Sequence, residues 1–303
     1  MVAAESAVCS IFAPVSPQSL ASVIGMATRA RRRGAVSGRW TSALLLAPTV
    51  MMPALAPAGG GTAAGASACR PAAFASGTAG DVIDGRTFVL DDGRQVRLAG
   101  IESPTTPEAS AQAKARLGAL LAGKAVVLKG FGSDRDRYGR LVAQVFLVDP
   151  GSERWVQREL IASGDARVAA RVGDRACASE LLGDERRARQ AMLGVWSDPY
   201  YGMRRAEDAA GLLTDRGRFA IVEGAVLSVR ESGGTIYVNF GKRWSEDFTV
   251  TVAKRNERAL MAAGIEPKSL AGRRIRVRGW IEERGGPWVE VTRPEQIELV
   301  ERN

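Results

Sequence analysis

The 303-residue chain contains no histidine. Imidazole general-base chemistry and histidine-bearing zinc sites are therefore excluded. What remains for chemistry are carboxylates, guanidinium groups and three cysteines, Cys9, Cys69 and Cys177. Acids and arginines come together in residues 80–108, GDVIDGRTFVLDDGRQVRLAGIESPTTPE, and again in residues 130–140, GFGSDRDRYGR. Arginine grips phosphate or carboxylate with two parallel N–H groups, while carboxylates serve hard cations. The formal net charge of +9 suits phosphate polyanions, although such surfaces also occur on proteins that bind none. It is unevenly placed, since residues 1–68 carry five arginines against a single acid, Glu5.

The elements that must hold these residues can be read in order. Val82, Phe88 and Leu90 alternate with polar residues, Asp92-Gly93 supplies a tight turn, and Val96, Leu98 and Ile101 resume the apolar run. That pattern predicts a β-hairpin. Ser103-Pro104 stops the strand, and Thr106-Pro107 opens a helix with an N-cap and a proline at its first position. The helix spans 108–121 and ends at Gly123. Strands are predicted over 124–129 and 141–148, joined by the polar, turn-rich stretch 130–140. A helix over 153–163 carries Trp155, Val156, Leu160 and Ile161 on one side; a brief extended piece covers 168–172, and a longer helix 177–195.

The wording of this region resembles the staphylococcal (thermo)nuclease family, where V-I-D-G-D-T leads into R-L-x-x-I/V-D-x-P-E. The resemblance covers residues of about 78–198 and implies a five-stranded OB-type barrel flanked by helices. In that family a Ca²⁺ ion is held by two aspartates and a backbone carbonyl, two arginines grip the phosphate, and a glutamate activates water. Matched residue by residue, Arg97 and Arg140 are the phosphate arginines, Arg140 closing Asp136-Arg-Tyr-Gly-Arg as in D-x-Y-G-R. The first metal aspartate is Arg86, a charge reversal that cannot coordinate the ion. Glu102 matches the second and keeps an oxygen ligand. Thr105 matches the water-activating glutamate, and a threonine hydroxyl cannot act as that base. Glu108 lies three residues on, in the first helical turn, where the dipole favours a carboxylate.

The resemblance therefore implies a constellation of Arg86, Arg97 and Arg140 around Glu102, with Arg86 paired to Glu102 in the vacated calcium position. Such a site binds phosphate without metal, and Tyr138 stands beside it. The alternative is an inward-facing ion pair kept for stability alone. If any metal binds, Glu102 and Asp84 are its candidate ligands. The family's aromatic pair that flanks a bound nucleotide matches Ala170 and Val172, so stacking there is weakened.

A second unit is read from residue 217, after a bridging segment over 199–216. Strands are predicted over 219–229, 235–240, 248–252, 273–282 and 288–292, with a helix over 256–263 between the third and fourth. This again is the OB pattern. Tyr237, Phe240, Trp244 and Phe248 lie among Lys242, Arg243, Lys254 and Arg255, the makings of a single-strand binding face. Core packing is the preferred reading for most of these rings, with Trp244 exposed.

Residues 1–68 read as targeting. A basic run beginning at Met26, the start favoured by this pattern, precedes an uncharged apolar stretch after Arg39 and the small residues Gly65-Ala-Ser-Ala68. Three prolines within the apolar stretch argue against a membrane span. Export removes Cys9 and leaves Cys69 and Cys177, which can form a disulfide in an oxidising compartment. Cys69 as a lipid anchor and Cys177 as a small buried helix residue are the competing fates.

The expectation is an α+β chain, mainly β: an OB-type barrel over 69–198, a linker over 199–216, and a smaller OB-like barrel over 217–303. Its function is read as an exported nuclease-family protein with a degenerate centre, binding nucleic acid or another phosphate polyanion without a cofactor. The alternatives are an active metal-dependent phosphodiesterase and a structural or interaction protein of the cell envelope.

Overall fold

The computed structural model describes residues 69–132, 135–149, 151–243 and 245–300. The expected targeting segment, with Cys9 and the expected start at Met26, and the expected exposure of Trp244 lie outside the described residues. The first part of the chain runs β1 (Ala72–Asp84), β2 (Thr87–Leu90), β3 (Gln95–Leu98), β4 (Ile101–Glu102), α1 (Pro107–Leu121), β5 (Ala125–Gly130), β6 (Leu141–Asp149), β7 (Ser152–Trp155), α2 (Val156–Ala162), β8 (Arg167–Val168) and α3 (Arg175–Gln190). The second part continues with β9 (Arg204–Arg205), α4 (Ala209–Thr214), β10 (Phe219–Ala225), β11 (Ser228–Ser232), β12 (Thr235–Asn239), β13 (Thr249–Ala253), α5 (Lys254–Ala262), β14 (Arg274–Trp280), β15 (Glu282–Arg284), β16 (Gly286–Val291) and β17 (Ile297–Leu299).

β1 is longer than the hairpin reading gave it. Its amino-terminal half pairs antiparallel with β5, and its carboxy-terminal half pairs with β2. One bent strand thus serves two neighbours, which is how a small barrel turns its corners. β2 pairs with β3 around the Asp92-Gly93 turn, β5 with β6, and β3 closes the ring against β6 in parallel register, Arg97 opposite Val142. The chain is α+β, and this ring is a closed five-stranded barrel of OB type with β7 added at its rim. Phe88, Leu90, Val96, Leu98, Leu128, Val145 and Leu147 fill it.

Two helices differ from the sequence reading. Residues 152–155 extend the sheet as β7 before α2 begins, because the chain reverses just before Ser152 and keeps pairing with β6 as far as Trp155 opposite Phe146. α3 starts at Arg175, capped by Asp174, whose side chain accepts the Cys177 N–H, and stops at Gln190. A short 3₁₀ turn, Gly194–Ser197, follows Met192, a non-glycine residue at φ 52°. The disulfide Cys69–Cys177 ties the segment before β1 to α3, with Cα atoms 4.4 Å apart.

The second part of the chain carries two sheets, in strand order β17-β14-β10-β9 and β11-β12-β13-β16-β15, with no strand pairing between them among the described residues. β10 and β11 are separated by residues 226–227. β10 pairs with β14, β11 with β12, β12 with β13, and β13 runs parallel to β16. α5 lies between β13 and β14 in chain order. Phe240 and Phe248 are buried in the core of this part, whereas Tyr237 is exposed. Residues 199–216 hold β9, parallel to β10, as well as α4 and the buried Tyr201.

A buried ion network joins the two parts. Arg278 on β14 donates to Glu185 on α3 at 2.7 Å, to Glu298 on β17 at 2.5 Å and to the Val168 carbonyl at 3.0 Å. Glu185 also accepts the Val168 N–H at 2.7 Å. Buried charges survive only when paired and hydrogen-bonded in this way. Among the described residues no helix is long and apolar enough to cross a membrane.

Candidate anion-binding site

Arg86 sits on the two-residue turn between β1 and β2, where Asp84 pairs with Thr87. The Arg86 N–H donates to Asp84 Oδ1 at 2.8 Å, and its carbonyl accepts the Leu98 N–H at 2.8 Å. Gly85 lets this turn lie down on its neighbours: a Cβ there would stand 2.3 Å from Ser103 Oγ and 2.8 Å from Ala113 Cβ. The turn is therefore pinned to α1, and the Arg86 side chain is aimed rather than free. Its Nη1 donates to Glu102 Oε2 at 2.5 Å, with both side chains more than three-quarters buried.

Arg97 projects from β3 beside this pair. Among the described residues its guanidinium makes no hydrogen bond or ion pair, yet Arg86, Glu102, Arg140 and Asp136 all act on it electrostatically. Burial, then the neighbouring Arg86 charge, hold Arg97 below the usual arginine range, though it remains a cation. Arg140 is committed elsewhere: its Nε and Nη2 both reach Asp136 Oδ2, at 2.8 and 2.7 Å. Burial raises the Asp136 carboxyl, but the Arg140 side chain and the N–H groups of Tyr138 and Arg140 outweigh it and hold it low. The exposed Tyr138 ring is flanked by Arg137 at 4.8 Å and Arg140 at 5.2 Å.

The site thus brings together Arg86, Arg97, Arg140 and Glu102, and Tyr138 stands beside Arg140. The Thr105 N–H and the Glu108 residue meet other parts of the chain. The N–H groups of Thr105 and Thr106 donate to Tyr201 Oη at 2.9 and 2.8 Å, and Tyr201 donates back to Thr106 Oγ1. Tyr201 thereby satisfies the start of α1, and Glu108 lines a separate cavity of about 330 Å³ beside it.

The donor set does not fit a calcium ion. Ca²⁺ takes six to eight oxygens, whereas one oxygen of Glu102 already accepts from Arg86, and Asp84 Oδ1 caps the Arg86 turn. Among the described residues no group of three or more His, Cys, Asp or Glu is placed to hold a metal.

Residues 95–198 match the family model described as staphylococcal nuclease homologue. This segment is similar to that family. The match covers about a third of the chain and includes Arg97, Glu102, Thr105, Tyr138 and Arg140; it begins after Asp84 and Arg86. No curated protein matches the chain.

Sequence reasoning missed a fourth arginine of the matched segment. Arg167 lies opposite Glu102 in the β4–β8 pair and is buried. Its guanidinium lies 5.1 Å from the Tyr201 ring and 5.0 Å from the Phe219 ring, and Nη1 donates to the Phe219 carbonyl at 3.2 Å. Burial lowers its pKa, and among the described residues Nε has no acceptor. The only hint in the sequence was a charge in an otherwise apolar run, GDARVAA.

Proposed function

We propose that this chain is an exported phosphate-polyanion-binding protein, its natural ligand a nucleic acid, with hydrolysis slow or absent. The observation that carries the reading is Arg97, a half-buried guanidinium that is unpaired among the described residues, beside an Arg86–Glu102 pair. Three arginines against Glu102 and Asp136 leave one positive charge uncompensated, and Arg97 is the group with donors to spare. A phosphate oxygen beside Arg97 would receive charge-assisted hydrogen bonds of the strong, planar type. Binding of that kind favours the bound substrate as much as any transition state, and Thr105 offers no base. Turnover therefore has no driving element at these positions.

Export rests on the order of basic, apolar and small residues before Cys69. The disulfide supports it, since such bonds persist in oxidising compartments. A sulfur in that bridge is not free for a lipid thioether, so the bridge and a lipid anchor at Cys69 exclude each other.

The test uses purified protein and labelled single-stranded DNA, with Ca²⁺, Mg²⁺ or chelator. Retention that weakens with salt and persists in chelator, without shortening of the DNA, is expected. Chelator-sensitive degradation would instead establish a metal-dependent phosphodiesterase. Absence of salt-dependent retention would leave an envelope interaction protein.

A further inference from the structure

A groove of about 520 Å³ opens in front of Arg97 and Glu102, and its walls come from both parts of the chain. The first part contributes Lys129, Phe131, Gln144, Ala170 and Arg171; the second contributes Trp280, at the end of β14. Phe131 and Trp280 are 45% and 47% exposed, so two large rings stand in solvent beside a cluster of cations. Trp280 is buttressed by an edge contact with Phe219, ring centroids 6.2 Å apart. The second part also fixes the groove wall, because Glu295 Oε1 accepts the Val172 N–H at 3.1 Å.

The groove floor carries an unused donor. Gln144 is 1% exposed, and its Oε1 accepts the Trp155 indole N–H at 3.0 Å. That contact fixes the amide orientation, since an indole nitrogen only donates, and turns the NH₂ away from Trp155. Nε2 has no partner. Gly100, at φ 77°, keeps the approach open: a Cβ there would lie 3.5 Å from Nε2 and 3.1 Å from Val172 Cγ1. A buried amide left without an acceptor costs free energy unless a ligand supplies one.

We infer that the second part of the chain completes the binding site, with Trp280 as the platform on which a base of single-stranded nucleic acid stacks while a phosphate of the same strand meets Arg97. Rings stack on any base, and cations beside them track the backbone, which is the combination this groove shows. Gln144 Nε2 then donates to an acceptor of the seated nucleotide. The inference rests on the phosphate reading above, but it assigns a separate group to a separate part of the ligand.

That separation defines the experiment. The full chain is titrated with a short oligodeoxythymidylate and with an abasic strand of equal length, which keeps the phosphates and lacks the bases. Wild type should bind the base-bearing strand about tenfold or more tightly than the abasic one. Trp280→Ala should erase that preference and leave abasic affinity unchanged, while Trp280→Phe retains part of it. Arg97→Ala should weaken both strands alike. Equal affinity of wild type for both strands, or a preference that survives Trp280→Ala, overturns the Trp280 inference with phosphate binding intact. Indifference of both strands to Arg97→Ala overturns the phosphate reading instead.

Discussion

The Arg86 guanidinium donates to Glu102 at 2.5 Å, from a turn that Gly85 allows to rest on α1. One oxygen of that carboxylate is thereby engaged by a fixed counter-ion. The same contact leaves the neighbouring Arg97 as the cation with open donors. Under the proposed reading, this ion pair puts a cation where a metal ligand would stand.

Reversing the charge should reverse this balance. Arg86→Asp restores an oxygen pair with Glu102 and should raise affinity for Ca²⁺, read by calorimetric titration. Metal-free binding of phosphate ligands should fall, since a cation becomes an anion. DNA cleavage should stay low in this variant and rise when Thr105→Glu is added. A wild type that already binds Ca²⁺ tightly, or that cleaves as fast as the double variant, would show the metal site to be misplaced.

The arginines should not be equivalent. Arg97→Ala is expected to cost about 1.5–3 kcal/mol of affinity for a phosphate ligand, the worth of hydrogen bonds to a charged group. It should also reduce the salt slope of DNA binding by about 1. Arg140→Ala removes a partner of Asp136 and should act first on the 135–140 loop, read as faster amide exchange at Tyr138 and Arg140. Equal losses of affinity in both variants would mean that Arg140 leaves Asp136 to meet the ligand.

Much of this was legible because local rules and core pattern agreed. The hairpin, the Thr106-Pro107 helix start and the alternating strands of both parts follow from turn chemistry and periodicity. What was hidden depends on distant partners. Tyr201 reads as an ordinary residue of a polar segment, yet it seals the start of α1 from 95 residues away. Arg278 stands in RIRVRGW, where alternation alone gives a solvent-facing arginine, but α3 covers that face and supplies Glu185. Residues 152–155 suit either a helix or a strand, and pairing with β6 decided between them.

The disulfide closes 108 residues of chain. In the chain-entropy account a loop of that length contributes about 4.7 kcal/mol. Cys177→Ser should lower the unfolding free energy by about that amount, read by urea titration, and a reductant should do the same to wild type only. Two titratable thiols in denatured, unreduced material from an oxidising compartment would refute the bridge there.

The joint between the two parts of the chain should be the acid-sensitive region of the fold. Arg278 is 1% exposed and holds Glu185 and Glu298 together. Removing it in Arg278→Met takes the shortest ion pair from both carboxylates, leaves them the longer Arg189 contacts at 3.8 and 3.6 Å, and should cost up to about 3–5 kcal/mol. Burial raises the Glu298 carboxyl, but Arg278, followed by Arg189, outweighs it and holds it below the ordinary 4.5. A depressed acid contributes stability that is present above its unfolded value and lost as pH falls through the folded one. Wild-type stability should therefore decline on acidification below about pH 4.5. In Glu298→Gln that part of the decline should be absent, and the loss at neutral pH should be smaller than in Arg278→Met. Urea titrations at neutral pH and across the acid range measure both effects. An identical acid slope in wild type and Glu298→Gln would show that this carboxylate does not carry the linkage.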